Sequence, residues 1–333
     1  MSLKIVYNME TIFISIASCK EEFLVQTIKS AISNADNPEL LYFGITNMVI
    51  DQRDFVSDPV FDQPNVNCLE VKFKGSLGTG FGRMTASLMA NQEHTYLLQV
   101  DAQNIFEKNW DTELKNYYKD ILKVCEKPII STSPRRWIDG PNKEVCLNEE
   151  DGLVVDPYNF KTTEVFSSLG FRVSENGSKD NDGTIDQYPE IVGKHCNWSK
   201  EENFVEHGLI HASFMFTNFS FIHDVMHDPH NPWDGDQINL SFRAGTRGYR
   251  MFTIKNCLVW SKDKFNRRGE LTAKDDWRTS LRSSVVLYNE KASREFQKKL
   301  FSGDYLGYWG APDKISISKY YKSIGIDLSK YFI

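Results

Sequence analysis

The 333-residue chain lacks most of the features that assign a protein to a class at a glance. It lacks a long hydrophobic run: no stretch reaches the roughly 18 apolar residues a membrane span needs, and Glu10 interrupts the N-terminal segment before the apolar Thr11–Ala17. It lacks paired cysteines. Cys19, Cys68, Cys125, Cys146, Cys196 and Cys257 are scattered without a CxxC, which argues against a zinc knuckle or a small disulfide framework and predicts reduced thiols. It lacks an excess of positive charge. A net charge of −6 argues against broad nonspecific nucleic-acid binding and leaves only a local basic groove open. It also lacks a dinucleotide fingerprint after its first apolar strand. The glycines Gly78, Gly80 and Gly82 look like a phosphate cradle, but GTGFG has the wrong spacing and no Lys-Ser/Thr follows as a P-loop requires. A dinucleotide oxidoreductase is therefore a poor fit.

What is present is an alternation of strands and helices. TIFISIA (Thr11–Ala17) is a β-branched run read as the first buried strand. Glu21–Ala35 follows helical periodicity and stops at Asn37-Pro38. Leu40–Val49 and Asn67–Lys74 read as further strands. The glycines then read as a flexible lead into a helix over Arg83–Asn91, and the order β-α-β-β-α-β predicts a nucleotide-binding α/β sheet. An amphipathic helix over Thr112–Val124 and a strand over Pro128–Ser133 follow. The organisation expected is an α/β half over 1–137, a loop-rich insertion over 138–205, and an acceptor-side half over 206–333 of the same domain. Residues 261–284 are strongly charged and read as a solvated linker or a lid.

The centre of this pattern is His94–Asn104, HTYLLQVDAQN. Its apolar strand ends abruptly on Asp101, and in open α/β sheets ligands bind at the carboxyl ends of strands. A carboxylate there is placed to hold a metal or a sugar nucleotide, against the plainer reading of a strand-terminating Asx turn. A second cluster lies at Trp233-Asp234-Gly235-Asp236-Gln237, before an expected helix over Ile238–Gly245. Acids here either cap that helix or, beside an aromatic residue, grip sugar hydroxyls. Five histidines (His207, His211, His223, His227, His230) precede it without zinc spacing and read as packing or surface residues. Arg135-Arg136 reads as a solvated turn or a phosphate contact.

The ordered set of motifs resembles the polypeptide α-N-acetylglucosaminyltransferase family, of the hydroxyproline GlcNAc-transferase type, with the GT-A fold. The resemblance is carried by TIFISIAS with its following helix, the glycine-rich lead with Arg83, YLLQVDAQ, ASFMFTN, His227-Asp228-Pro229 for a Tyr-Asp-Pro, and WDGDQINLSFRAGTRGYRMF with its R-x-x-T-x-G-Y run. DYLGYWGAPDKISISKYYKSIGIDL completes it. It implies an α/β GT-A fold, a mixed central sheet flanked by helices, and a retaining glycosyltransferase moving GlcNAc or a related hexose from a UDP-sugar to a hydroxyl acceptor; the lack of an anchor or signal in the sequence adds the expectation of a cytoplasmic site of action. The acceptor stays open between protein, glycan and a hydroxymethylated base of DNA. By the same resemblance Ser15, Ala17, Arg83 and Asp101 line the nucleotide-sugar pocket. Asp101 and Gln103 hold a divalent metal, manganese, and Asp234, Asp236 and Gln237 serve as catalytic groups. Two positions depart from the family: Gln103 replaces a histidine, and Trp260 stands where a later metal-binding histidine is expected. Asp263 and His211 are candidates to complete the metal site. The departures keep a non-catalytic sugar-nucleotide-binding protein as an alternative.

Overall fold

The computed structural model describes residues 9–19, 21–49, 57–72, 77–91, 93–132, 134–139, 145–147, 167–174, 188–195, 202–231, 236–262, 295–296, 298–300, 304–305, 307–310 and 317–324. The β-branched first run forms β1 (Ile12–Cys19), followed by α1 (Leu24–Asn34), β2 (Leu41–Val49) and β3 (Val66–Lys72). Next come α2 (Thr79–Ser87), β4 (Tyr96–Asp101), β5 (Asn104–Phe106), α3 (Trp110–Leu122), β6 (Pro128–Ser131), β7 (Arg135–Asp139) and β8 (Val145–Leu147). The region expected to be loop-rich contributes β9 (Ser167–Ser174) and β10 (Tyr188–His195), paired antiparallel with each other. The second half supplies β11 (Phe204–Glu206), β12 (Phe214–Asn218), α4 (Phe221–Asp224), α5 (Asp236–Thr246), β13 (Arg250–Ile254), β14 (Val259–Lys262) and α6 (Ile317–Ser323).

An eight-stranded mixed sheet runs β11-β13-β6-β12-β4-β1-β2-β3. The block β4-β1-β2-β3 is parallel, and β12 lies antiparallel between β4 and β6. This is the mixed α/β sheet flanked by helices that the sequence predicts. A second sheet, β5-β14-β7-β8, sits beside the end of β4. No helix among the described residues is long and apolar enough to cross a membrane.

Strand alternation sorts the side chains onto two faces. Ile12, Ile14 and Ile16 of β1 and Tyr96, Leu98 and Val100 of β4 pack with Leu24 and Ile28 of α1 and Leu114 and Ile121 of α3. On the other face Phe13 and Leu97 pack with Met215, Leu240 and Ala244. Further along that second face the strands turn polar. Ser15 pairs in register with Gln99, and Ala17 with Asp101. The face that carries the chemistry is therefore fixed by which residues of TIFISIA and YLLQVD fall on odd positions.

Two expectations change here. The helix expected from Arg83 begins earlier, so Gly80 and Gly82 lie inside α2 rather than in a flexible lead. Both are small because neighbours press on them. A Cβ on Gly80 would lie 2.2 Å from the Asp228 carbonyl oxygen and 2.6 Å from that of Asn231, and one on Gly82 would lie 3.0 Å from the Ala17 methyl. The helix can thus dock its first turns directly on β1 and on the loop after α4. After α5 the apolar run Met251–Val259, which reads from sequence as one strand, divides between β13 and β14, and these belong to different sheets.

The R-x-x-T-x-G-Y run proves architectural. Arg243 donates to the Met226 carbonyl at 2.7 Å and to the Tyr308 carbonyl at 3.0 Å, joining α5 to two loops. Gly248, with φ of 90°, turns the chain after α5, and the Tyr249 hydroxyl donates to Asp224 at 2.9 Å.

Candidate active site

The site is built where β4 ends. Asp101 is the last residue of that strand, at the junction between its parallel neighbour β1 and its antiparallel neighbour β12. Its carboxylate remains 29 % exposed, while Val100 and Ala102 on either side are buried. Arg83, projecting from the middle of α2, reaches it: one guanidinium nitrogen donates to Asp101 Oδ1 at 3.2 Å. The other donates to Asp236 Oδ2 at 2.6 Å, at the start of α5. The Arg83 side chain is only 10 % exposed, so this is a largely enclosed guanidinium shared by two carboxylates. Burial disfavours its charge, but Asp236 and Asp101 more than offset that and raise its pKa further.

Asp236 is itself enclosed, with its side chain 3 % exposed. Its second oxygen, Oδ1, accepts from His227 Nδ1 at 2.9 Å. Burial works against ionisation of Asp236. The His227 ring and the Arg83 guanidinium outweigh it and hold the carboxyl down at about 2. His227 Nε2 bonds Gln99 Oε1, and Gln99 Nε2 donates to the Ala212 carbonyl at 2.7 Å. An unbroken polar chain thus runs Ala212–Gln99–His227–Asp236–Arg83–Asp101, from the buried backbone to a part-exposed carboxylate.

The structure brings together only some of the residues singled out from sequence. Arg83, Asp101 and Asp236 meet as one cluster. Ala17 lies beside Asp101 at the end of β1, part-exposed and against Gly82. Ser15 does not line a pocket: it is fully buried, with its hydroxyl 3.3 Å from that of Ser87 on α2. Two residues further back along a strand under a docked helix, it fastens the helix instead. Asp236 is likewise enclosed, and both of its oxygens are committed to protein donors. Gln237 accepts from the Ala212 backbone N–H at 3.3 Å and steadies the segment before β12. Asp234 and Trp233 lie outside the described residues.

Gln103 sits in the turn between β4 and β5, two residues from Asp101, with its side chain part-exposed and its carbonyl accepting from Lys262 and Trp137. Trp260 is buried and is no metal ligand: its indole N–H donates to Glu107 at 2.6 Å, and Arg135 stacks over its ring. The Glu107 carboxyl is pushed up by burial, against the indole hydrogen bond. His211 bonds Ser213 through Nδ1. Asp263 and residues 263–284 of the charged stretch lie outside the described residues. Among the described residues no three His, Cys, Asp or Glu side chains converge as a metal cage. What Asp101 and Gln103 offer is a pair of hard oxygen donors on one turn. That suits an ion of the magnesium or manganese type, which completes its shell with water and substrate phosphate rather than with protein alone.

Sequence reasoning missed Gln99 and His227. A signal for the first was present: a glutamine inside the otherwise apolar YLLQV is a buried polar group that must find partners. For His227 the sequence offers only its place in the His227-Asp228-Pro229 run and not its partners, which lie 128 and 9 residues away.

A model of the Glycosyltransferase (GlcNAc) family matches residues 48–330. The chain belongs to this family. It is thus a glycosyltransferase, and the matched span takes in α2, β4 and α5, which carry Arg83, Asp101 and Asp236. No curated protein matches the chain. Among solved structures it is similar to Staphylococcus aureus TarS residues 1–349 in complex with UDP-GlcNAc, at 11 % identity and a TM-score of 0.41, covering 88 % of this chain and 73 % of that one. TarS 1–349 alone gives 12 % and 0.42, covering 88 % and 72 %.

Proposed function

We propose that this glycosyltransferase moves GlcNAc or a related hexose from a UDP-sugar to a hydroxyl acceptor, with retention at the anomeric carbon, on a GT-A scaffold. The observation that carries the reading is Asp101. It is a part-exposed carboxylate at the carboxyl end of a central strand, held in place by an enclosed arginine. In open α/β sheets ligands bind outside the carboxyl ends of the strands, so a fixed group there can meet the donor's diphosphate. Asp101 and Gln103 are the residues that would hold a manganese ion, which when bound neutralises charge on the departing diphosphate.

The chain's own residues do the rest. Arg83 adds a positive charge beside Asp101 that is already paid for by Asp236, so it need not reorganise as charge develops on the leaving group. Asp236 fixes the guanidinium from behind. Ala17 keeps the end of β1 low beside Asp101, and Gln237 holds the Ala212 segment. Asp234 remains a candidate for contact with donor sugar or acceptor. The acceptor is a hydroxyl on protein, glycan or a hydroxymethylated base of DNA.

The test is UDP release from a panel of UDP-sugars by the purified chain, with and without manganese, alongside Asp101→Asn. Release from one donor that falls at least about 100-fold in Asp101→Asn is expected. No release and no thermal shift with any UDP-sugar refutes the reading.

A further inference from the structure

The residue that the proposed chemistry leaves unexplained is His227. It is 4 % exposed, and both ring nitrogens are engaged. The partners dictate the protons. Gln99 spends its amide N–H on the Ala212 carbonyl, so its oxygen faces Nε2, and Nε2 must be the donor. Turning that amide over would set two carbonyl oxygens against each other. On the other side stands an ionised carboxylate, already accepting from Arg83 through its other oxygen, so Nδ1 must donate as well. A ring that donates from both nitrogens is an imidazolium. The charged neighbours from each packed element are Asp236 on α5, Arg83 on α2 and Asp101 on β4. Asp228, next in the chain, is taken by His230 and by the Tyr305 hydroxyl at 2.7 Å. Cation and anion thus alternate along the chain, with His227, Asp236 and Arg83 enclosed and Asp101 part-exposed at its end.

We propose that His227 is a positioning residue of the transfer site: a fixed imidazolium, gripped by Gln99, that holds Asp236 against Arg83 and thereby sets the orientation of the Asp101 carboxylate. The proposal rests on the transfer reading above. It differs from a packing role in one respect. Packing asks only for the ring's shape, whereas this role asks for two N–H donors and a charge. A supporting shell of this kind changes activity about 10- to 100-fold when removed.

The experiment has two arms. In the first, the ring nitrogens of His227 are observed by NMR in the full-length chain labelled with 15N-histidine. Both nitrogens protonated at neutral pH is the expected result, and one bare nitrogen overturns the proposal. In the second, kcat and donor KM are measured for H227F, H227N and H227Q. An asparagine amide can take the place of Nδ1 and keep a donor on Asp236, whereas a glutamine amide reaches toward Gln99 instead. The expected order of kcat is wild type, then H227N, then H227Q and H227F, with H227F down about 10- to 100-fold and donor KM within about 3-fold. A folded H227F with wild-type kcat overturns the proposal. If H227F does not fold, equal kcat in H227N and H227Q overturns it. Wild-type protein that turns over no UDP-sugar refutes the transfer reading instead, and the NMR arm still decides the proton state.

Discussion

Replacing Arg83 by methionine keeps much of the side-chain volume and removes the charge from between Asp101 and Asp236. The two ends of the lost pair are unequal. Asp101 keeps 29 % of its side chain in solvent, so water replaces much of what the guanidinium gave it, and that end contributes less than about 1 kcal/mol. Asp236 cannot be rescued so. It is 3 % exposed and would keep only His227. Its carboxyl lies near 2 against an ordinary 3.8, a preference for the ionised form worth about 2 kcal/mol. Removing one partner of a buried pair costs about 3–5 kcal/mol, because the other charge stays behind. Since His227 remains, the lower figure applies, and about 3 kcal/mol is expected. Urea denaturation followed by tryptophan fluorescence would show it as a fall in midpoint at unchanged slope. The thermal midpoint should fall by about 4 °C, given the unfolding entropy of a chain of this length. The decisive comparison is the double variant Arg83→Met/Asp236→Asn. Neutralising the stranded carboxylate should recover at least about 1 kcal/mol relative to the sum of the single changes. A loss below about 1 kcal/mol in Arg83→Met, or strict additivity in the double variant, would show that the guanidinium is not carrying the buried charge of Asp236.

Two further outcomes concern stability. His207 donates from Nε2 to the Ser131 carbonyl at 2.9 Å and accepts the Leu209 N–H on Nδ1 at 3.1 Å, which fixes a neutral ring, and burial pushes its pKa down to about 4. The unfolded chain then takes up a proton first as pH falls, so stability is fully present above about pH 6.5 and is lost toward pH 4. The side chain is only part-buried by solvent contact, which trims the loss to about 2 kcal/mol; urea midpoints between pH 7.5 and 4.5 should fall in wild type and flatten in His207→Gln. Asp111, at the first turn of α3, accepts the backbone N–H groups of Asp36 at 2.8 Å and Asn37 at 3.1 Å while almost wholly buried. Asp111→Ala should lower stability by about 2–4 kcal/mol, read by the same denaturation, and a change under about 1 kcal/mol would contradict that role.

The amino-acid sequence by itself determined the alternation of elements and the position of Asp101. Local information suffices for both. A β-branched run such as Thr11–Ala17 fits a pleated, buried strand, and the apolar run Tyr96–Val100 stops at Asp101. The period-2 repeat also fixed that Ala17 and Asp101 share a face, given that β1 and β4 pair in parallel. It could not say that Ser15, two residues earlier on that face, is buried under α2 against Ser87. Nor could it show that Gly80 and Gly82 are small for the sake of close helix docking, because the atoms they avoid belong to β1 and to the loop after α4.

Only the tertiary structure decided which partners Asp236 and His227 find. An acid before a helix reads the same whether it caps, binds sugar or holds an arginine from 153 residues away, and a histidine's protons are set by whatever faces its two nitrogens. Hydrogen bonding and charge pairing act over a few ångströms in space, while sequence patterns report only neighbours along the chain. The parts of this site built from strand ends were therefore legible in the primary structure, and the parts built from long-range polar partners were not.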